Sequence, residues 1–135
     1  MRLLIDTSSE HLLLALCSKN TVLASHIERH HNKLNEEMIP QLEHLLKETS
    51  TSLGDIEEIA IGIGPGSYTG TRIGVALAKS LHFALLLKTG KPRLRPFPSH
   101  LIPSIQSILA YLEETPYSQD LPATPIYLAK IPALF

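Results

Sequence analysis

Five of the seven glycines of this 135-residue chain lie between Gly62 and Gly74, in the run GIGPGSYTGTRIG. An apolar stretch, IEEIAI, precedes the run, and a helix-like stretch, VALAKSLHFALLL, follows it. This strand, turn and helix constrains the fold more than any other feature. The chain has to leave a sheet, turn sharply at Pro65 and enter a helix whose first N–H groups have no intrahelical partner. Such a helix start can meet an anion, and the glycines let another backbone come close.

The spacing excludes the common nucleotide loops. A P-loop needs two glycines five positions apart followed by Lys and Ser or Thr, and no pair here meets that requirement. The dinucleotide pattern G-x-G-x-x-G fails because Ser67 or Thr69 stands where its third glycine belongs. A hydrolase elbow, G-x-S-x-G, would need glycine at Pro65. What remains is a turn whose Ser67 or Thr69 can cap the next helix. Gly70 and Gly74 then share one helix face and suit close packing, since each costs roughly 1 kcal/mol relative to alanine in a helix interior.

Composition narrows the function. Hydrophobic residues make up 44% and charged residues 19%, with a formal net charge of −1. That balance suits one globular domain and argues against independent nucleic-acid binding, which needs clustered Lys and Arg. Cys17, the single cysteine, sits in HLLLALC and is expected to be a buried apolar side chain. The N-terminal apolar run is too short for a signal peptide, and no segment is expected to span a bilayer. A reducing cytoplasm is the default location.

Along the chain, RLLID (2–6), HLLLALC (11–17) and TVLASHIE (21–28) are expected as strands forming an antiparallel meander. Val22, Ala24 and His26 alternate on the third, and Asn20 supplies positive φ in the SKN hairpin. NKLNEEMIPQLEHLLKETS (32–50) is the clearest helix. Leu34, Met38, Leu42, Leu45 and Leu46 form its apolar stripe, and Pro40 is expected to kink it. IEEIAIGI (56–63) is a strand. The helix from about Thr69 is apolar nearly all round and should be buried against more than one neighbour, with Lys79 and His82 on its less buried side. Eight of the ten prolines lie from Pro92 onward, so KPRLRPFPSH is expected as an extended linker. LIPSIQSILAYLEE follows as a helix and ATPIYLAK as a short strand. The expected division is a lobe at 1–91 and a proline-rich linker with a C-terminal tail at 92–135.

Few side chains suggest chemistry. His26, His30 and His31 are close in sequence, but they fall where a strand runs into a loop, which need not bring the rings together on a metal. Asp6, followed by Thr7, Ser8 and Ser9, either caps a turn or helps hold a phosphate complex. Arg72, early in the apolar helix, needs a carboxylate partner, either Asp6 or one on another chain. Glu36, Glu37 and Glu43 are expected on a solvated face. No catalytic, cofactor-binding or metal-binding residue is assigned.

Three segments, RLLIDTSSEHLLLAL, HHNKLNEEMIPQLEHLL and GPGSYTGTRIGVALAKSL, resemble the TsaB (YeaZ) family in order and spacing. The resemblance covers residues 2 to about 87. It implies an α/β fold: an actin-like ATPase (ribonuclease H-like) lobe with a mixed sheet, an antiparallel three-strand meander, two packed helices and a short irregular tail. It further implies a non-catalytic scaffold role in making N6-threonylcarbamoyladenosine at position 37 of tRNAs reading codons that start with A. TsaD then performs the transfer, TsaE joins the complex, and TsaC supplies the activated threonylcarbamoyl group. By the same resemblance the two helices contact TsaD, or a second copy in its absence. The candidate contacts are Leu34, Met38, Leu42, Tyr68, Gly70, Arg72 and Gly74, and Gly74→Leu is expected to weaken association with little loss of folding.

The family's second lobe has no counterpart of full length here. Residues TPIYLAK resemble the family's terminal P-x-Y-L-R segment, with Ala129 where its basic residue is expected. A remnant of the second lobe is therefore expected after residue 91. Two other functions stay open: a small ATP- or phosphate-binding enzyme of the same fold, and a self-associating remnant that does not serve TsaD.

Overall fold

The structure, a computed structural model, describes residues 1–102 and 104–117. Between Arg2 and Asp6 the sequence offers only Leu3, Leu4 and Ile5, so this segment is satisfied only inside a sheet covered on both faces. That is where β1 (Arg2–Asp6) lies. It is the central strand of five, flanked by β2 (His11–Ser18) and β3 (Thr21–Arg29) on one side. On the other side lie β4 (Glu58–Gly62) and β5 (Arg93–Phe97), giving the order β3-β2-β1-β4-β5. The first three strands form the expected antiparallel meander, while β4 and β5 run parallel to β1. The α/β mixed sheet expected from the sequence is thus observed.

Two details of the meander differ from expectation. The hairpin's positive φ falls on Lys19, at 53°, rather than on Asn20. In β3 the ladder shifts register, with Ala24 opposite Leu16 and Val22 opposite Cys17, which leaves Leu23 as an extra residue. This bulge breaks the expected alternation. Val22 packs with Leu4 and Cys17 on one face of the sheet, and Ala24 packs with Leu14 and Leu16 on the other.

Helix α1 (Leu34–Glu48) buries the expected stripe of Leu34, Met38, Leu42 and Leu45 against the sheet. Pro40 lies inside the helix on its exposed side, where the carbonyl it leaves unpaired can meet water. A 3₁₀ turn, Leu53–Asp55, leads from α1 into β4. Helix α2 (Tyr68–Thr89) joins β4 to β5 and lies on the same face as α1. Leu3, Ile5, Leu12, Leu14, Ile59 and Ile61 meet both helices there. Each fully buried leucine or isoleucine contributes roughly 2 kcal/mol.

Helix α2 is not buried all round. Gly70, Thr71, Gly74, Val75, Ala78 and Leu85 face inward, while Phe83 is 64% exposed and Leu87 75% exposed. Contrary to expectation, α2 is also long and apolar enough, by length and composition, to cross a bilayer, but here its inward side packs on the sheet.

KPRLRPFPSH is not the expected linker. Arg93–Phe97 pair with β4 residue for residue, and Phe97 is fully buried. The prolines are tolerated because β5 is an edge strand, where a missing donor can face away from the ladder. A 3₁₀ turn (Ser99–Leu101) and α3 (Ile105–Glu114) follow, shorter than the single helix expected over 101–114. Ile108, Leu109 and Leu112 cover the second face of the sheet with Phe97, Leu4, Leu13 and Ala15. Residues 93–114 therefore pack on the same sheet as residues 1–91. The expected strand ATPIYLAK lies outside the described residues.

Candidate functional site

All the loops at the C-terminal end of β1 converge on Asp6. This residue is fully buried. Its Oδ1 accepts from the Ser8 amide at 2.8 Å and the Ser8 hydroxyl at 2.7 Å. Its Oδ2 accepts from the Ser99 hydroxyl at 2.7 Å, and Ser99 Oγ in turn accepts from the Gly64 amide at 2.8 Å. One carboxylate thus ties together the loops after β1, β4 and β5. Burial raises the Asp6 pKa above the ordinary carboxylate value, and its bonds from Ser8 and Ser99 oppose that shift. The expected pairing of Asp6 with Arg72 does not form. Arg72 lies exposed on the outer side of α2, where its guanidinium donates to the Tyr68 hydroxyl at 2.8 Å and stacks 5.1 Å from that ring.

The glycine-rich run is shaped by the chain's own first turn. A Cβ on Gly66 would lie 2.5 Å from the Ser8 carbonyl oxygen, and one on Gly74 would lie 3.2 Å from Thr7 Cβ and nearer still to Thr7 Oγ1. Gly70 faces the Thr7 carbonyl in the same way, and its own carbonyl accepts from the Thr7 hydroxyl. Ser67 caps α2 as expected, its hydroxyl accepting from the Gly70 amide at 3.1 Å. The Gly64–Pro65 peptide is cis.

In front of this cluster lies an open cleft of about 670 Å³, lined by Ser8, Ser9, His11, Ile27, Pro65, Gly66, Ser67, Ser99 and Ile102. Its Ser99 could not be singled out by motif, because it lies in the segment expected to be a linker and reaches Asp6 only through the fold.

The seven expected contact residues separate into two groups. Leu34, Met38 and Leu42 point into the core, and Gly70 and Gly74 face Thr7 of the same chain. Tyr68, half-buried, and Arg72, exposed, lie at the start of the outer side of α2. That side continues through Ala76 and Lys79 to Phe83, Leu86 and Leu87, all exposed. These positions recur every three or four residues, so they form one stripe along the helix. The sequence showed the stripe as apolar, but not which side of α2 would remain uncovered.

The histidines do not converge. His30 Nε2 lies 3.1 Å from the Ser9 carbonyl oxygen, and its Nδ1 accepts from the Asn32 amide at 3.2 Å. Both ring nitrogens are thereby used within a turn, and the proton resides on Nε2. Nε2 of His26 is buried without a partner among the described residues. No group of three or more His, Cys, Asp or Glu side chains that could hold a metal ion occurs among the described residues. Cys17 is buried, and burial pushes its thiol up despite the opposing charge of Arg2, which disfavours the reactive thiolate.

Residues 21–89, just over half of the chain, match the family described as TsaD: tRNA N6-adenosine threonylcarbamoyltransferase. The chain belongs to this family. Its curated relatives carry the name tRNA threonylcarbamoyladenosine biosynthesis protein TsaB. The Bacillus subtilis protein is 40% identical over 83 residues, which is 62% of this chain and 36% of that one. The Escherichia coli protein is 42% identical over 82 residues, 60% of this chain and 35% of that one. The chain thus spans about a third of the length of these relatives. Among solved structures, YeaZ from Pseudomonas aeruginosa superposes with a TM-score of 0.64 at 31% identity, covering 72% of this chain and 43% of that one. The TsaB (YeaZ) resemblance and the actin-like lobe are therefore observed in sequence and in fold.

Proposed function

We propose that this chain acts as a non-catalytic scaffold in the synthesis of N6-threonylcarbamoyladenosine at position 37 of tRNA, supporting a TsaD-type transferase. The observation that carries this reading is the outer stripe of α2. Phe83, Leu86 and Leu87 stand exposed along a helix that the sheet holds rigidly from behind. An apolar helix face of this kind is a surface for another protein. Arg72, held in place by Tyr68, adds a charge at one end of the stripe that can pair with a partner carboxylate.

Of the expected contact residues, Tyr68 and Arg72 would touch TsaD directly. Leu34, Met38, Leu42, Gly70 and Gly74 would act from behind, by fixing where the two helices lie. TsaE would join through the resulting complex, tRNA would be met only through it, and the setting would be the cytoplasm. In the absence of TsaD the same stripe would pair with a second copy.

The test is a pull-down of purified TsaD with the wild-type chain and with the Phe83→Glu, Leu87→Lys double variant. Both substitutions sit at exposed positions, so the variant is expected to fold while losing most of its TsaD binding. Undiminished binding by a folded variant would reject the stripe as the contact surface. Failure of the wild-type chain to bind TsaD at all would reject the scaffold role.

A further inference from the structure

We propose that the cleft beside Asp6 binds a small organic ammonium, a primary amine carried on an apolar body. Three features of its chemistry lead there. First, Asp6 is a buried carboxylate with no cation beside it among the described residues; its hydrogen bonds come from Ser8 and Ser99 alone. A buried negative charge without a counter-charge is costly, and at low dielectric it attracts a cation across several ångströms.

Second, the hydroxyls between Asp6 and the cleft have already committed their protons. A carboxylate only accepts, so Ser8 and Ser99 donate to it. Both serines also line the cleft, where they have lone pairs to offer. Such a surface receives N–H donors. It disfavours phosphate, which would need those protons and would face the Asp6 charge. No set of three metal-binding side chains occurs there among the described residues, so the cation that fits is an organic one.

Third, Ile27, Pro65 and Ile102 form an apolar wall around these oxygens. At about 670 Å³ the cleft falls within the size range of small-molecule sites. The ammonium would sit against Ser8 and Ser99, with its apolar body along Ile27 and Ile102.

The inference is tested by following backbone amide resonances of the full chain in two-dimensional NMR. Three probes are added separately: n-butylammonium, n-butanol and inorganic phosphate. Butylammonium is expected to shift the amides of Ser8, Gly66 and Ser67 saturably, with butanol at least about tenfold weaker and phosphate without effect. Asp6→Asn should weaken butylammonium binding by about tenfold. Ile27→Ser, at a partly exposed position, should weaken it severalfold while leaving the spectrum folded. Equal binding of butanol and butylammonium would overturn the proposal even if Asp6→Asn does not fold. Stronger shifts with phosphate, or no response to butylammonium, would overturn it as well.

Discussion

Gly62 and Asp6 occupy one site between them. A Cβ built on Gly62 would stand 2.7 Å from Asp6 Cγ and closer still to Oδ2, with Ser99 Oγ 3.0 Å away. The buried carboxylate fits between β1 and β4 only because its neighbour has no side chain. Gly62→Ala should therefore displace Asp6 from Ser8 and Ser99 and destabilise the fold by about 3 kcal/mol, the upper range for overpacking. Gly54→Ala, where the nearest atom to a new Cβ is 3.9 Å away, should change little. Urea denaturation of both variants decides the matter, and equal midpoints would contradict the packing described.

Asp6 also gives stability a definite pH dependence. Burial raises its pKa above the ordinary 3.8, against the pull of its hydrogen bonds from Ser8 and Ser99. The folded chain consequently keeps the Asp6 proton to a higher pH than the unfolded chain does. Between the two values the folded state binds more protons, so the contribution of this residue to stability falls as pH rises through its folded pKa. Asp6→Asn cannot titrate. Measured by urea midpoints, its stability relative to wild type should rise from pH 4 towards neutrality and then level off. Parallel curves would show that Asp6 titrates alike in both states.

Much of this lobe is written in local pattern. The meander, the α1 stripe and the strand into β4 follow from periods of two and of three to four residues, and family resemblance supplied the mixed sheet. The misjudged elements depend on position in the sheet. Pro96 in β5 looked incompatible with a ladder, yet it pairs with Ile61 at an edge. The bulge at Leu23 reversed a face that strict alternation had assigned. Periodicity placed Gly70 and Gly74 on one side of a helix, but not what that side meets. Ser99 reaches Asp6 from far along the chain, a contact only the assembled sheet creates.

The contact of Gly74 with Thr7 changes what Gly74→Leu should do. A leucine side chain there would press on Thr7, itself fully buried and bonded to the Gly70 carbonyl. The variant should lose about 2 kcal/mol or more of stability, rather than selectively weakening association as the sequence suggested. Phe83→Glu, on the outer stripe, should stay within about 0.5 kcal/mol of wild type. Circular dichroism melts of the two variants separate helix seating from outer contact. A stable Gly74→Leu variant would return that face to the list of contact surfaces.

At the opposite edge of the sheet, Glu58 holds two arginines. Its Oε2 lies 3.4 Å from Arg2 Nη2 and its Oε1 3.4 Å from Arg95 Nη1, with all three side chains largely buried. Arg95 also donates to the Thr115 carbonyl, just beyond α3, so the cluster links β1, β4, β5 and the end of that helix. Glu58→Gln would leave two half-desolvated guanidinium groups facing a neutral amide, and one-sided removal of a buried partner costs more than the pair itself contributes. The expected loss is about 2 kcal/mol, below the value for a fully buried pair because some solvent reaches the site. A double variant, Glu58→Gln with Arg95→Met, should recover part of that loss, since the methionine restores apolar contact and removes one of the two unpaired charges. Chemical denaturation of wild type, single and double variants forms the test. A double variant no more stable than the single would show that Arg95 is held by Thr115 rather than by Glu58.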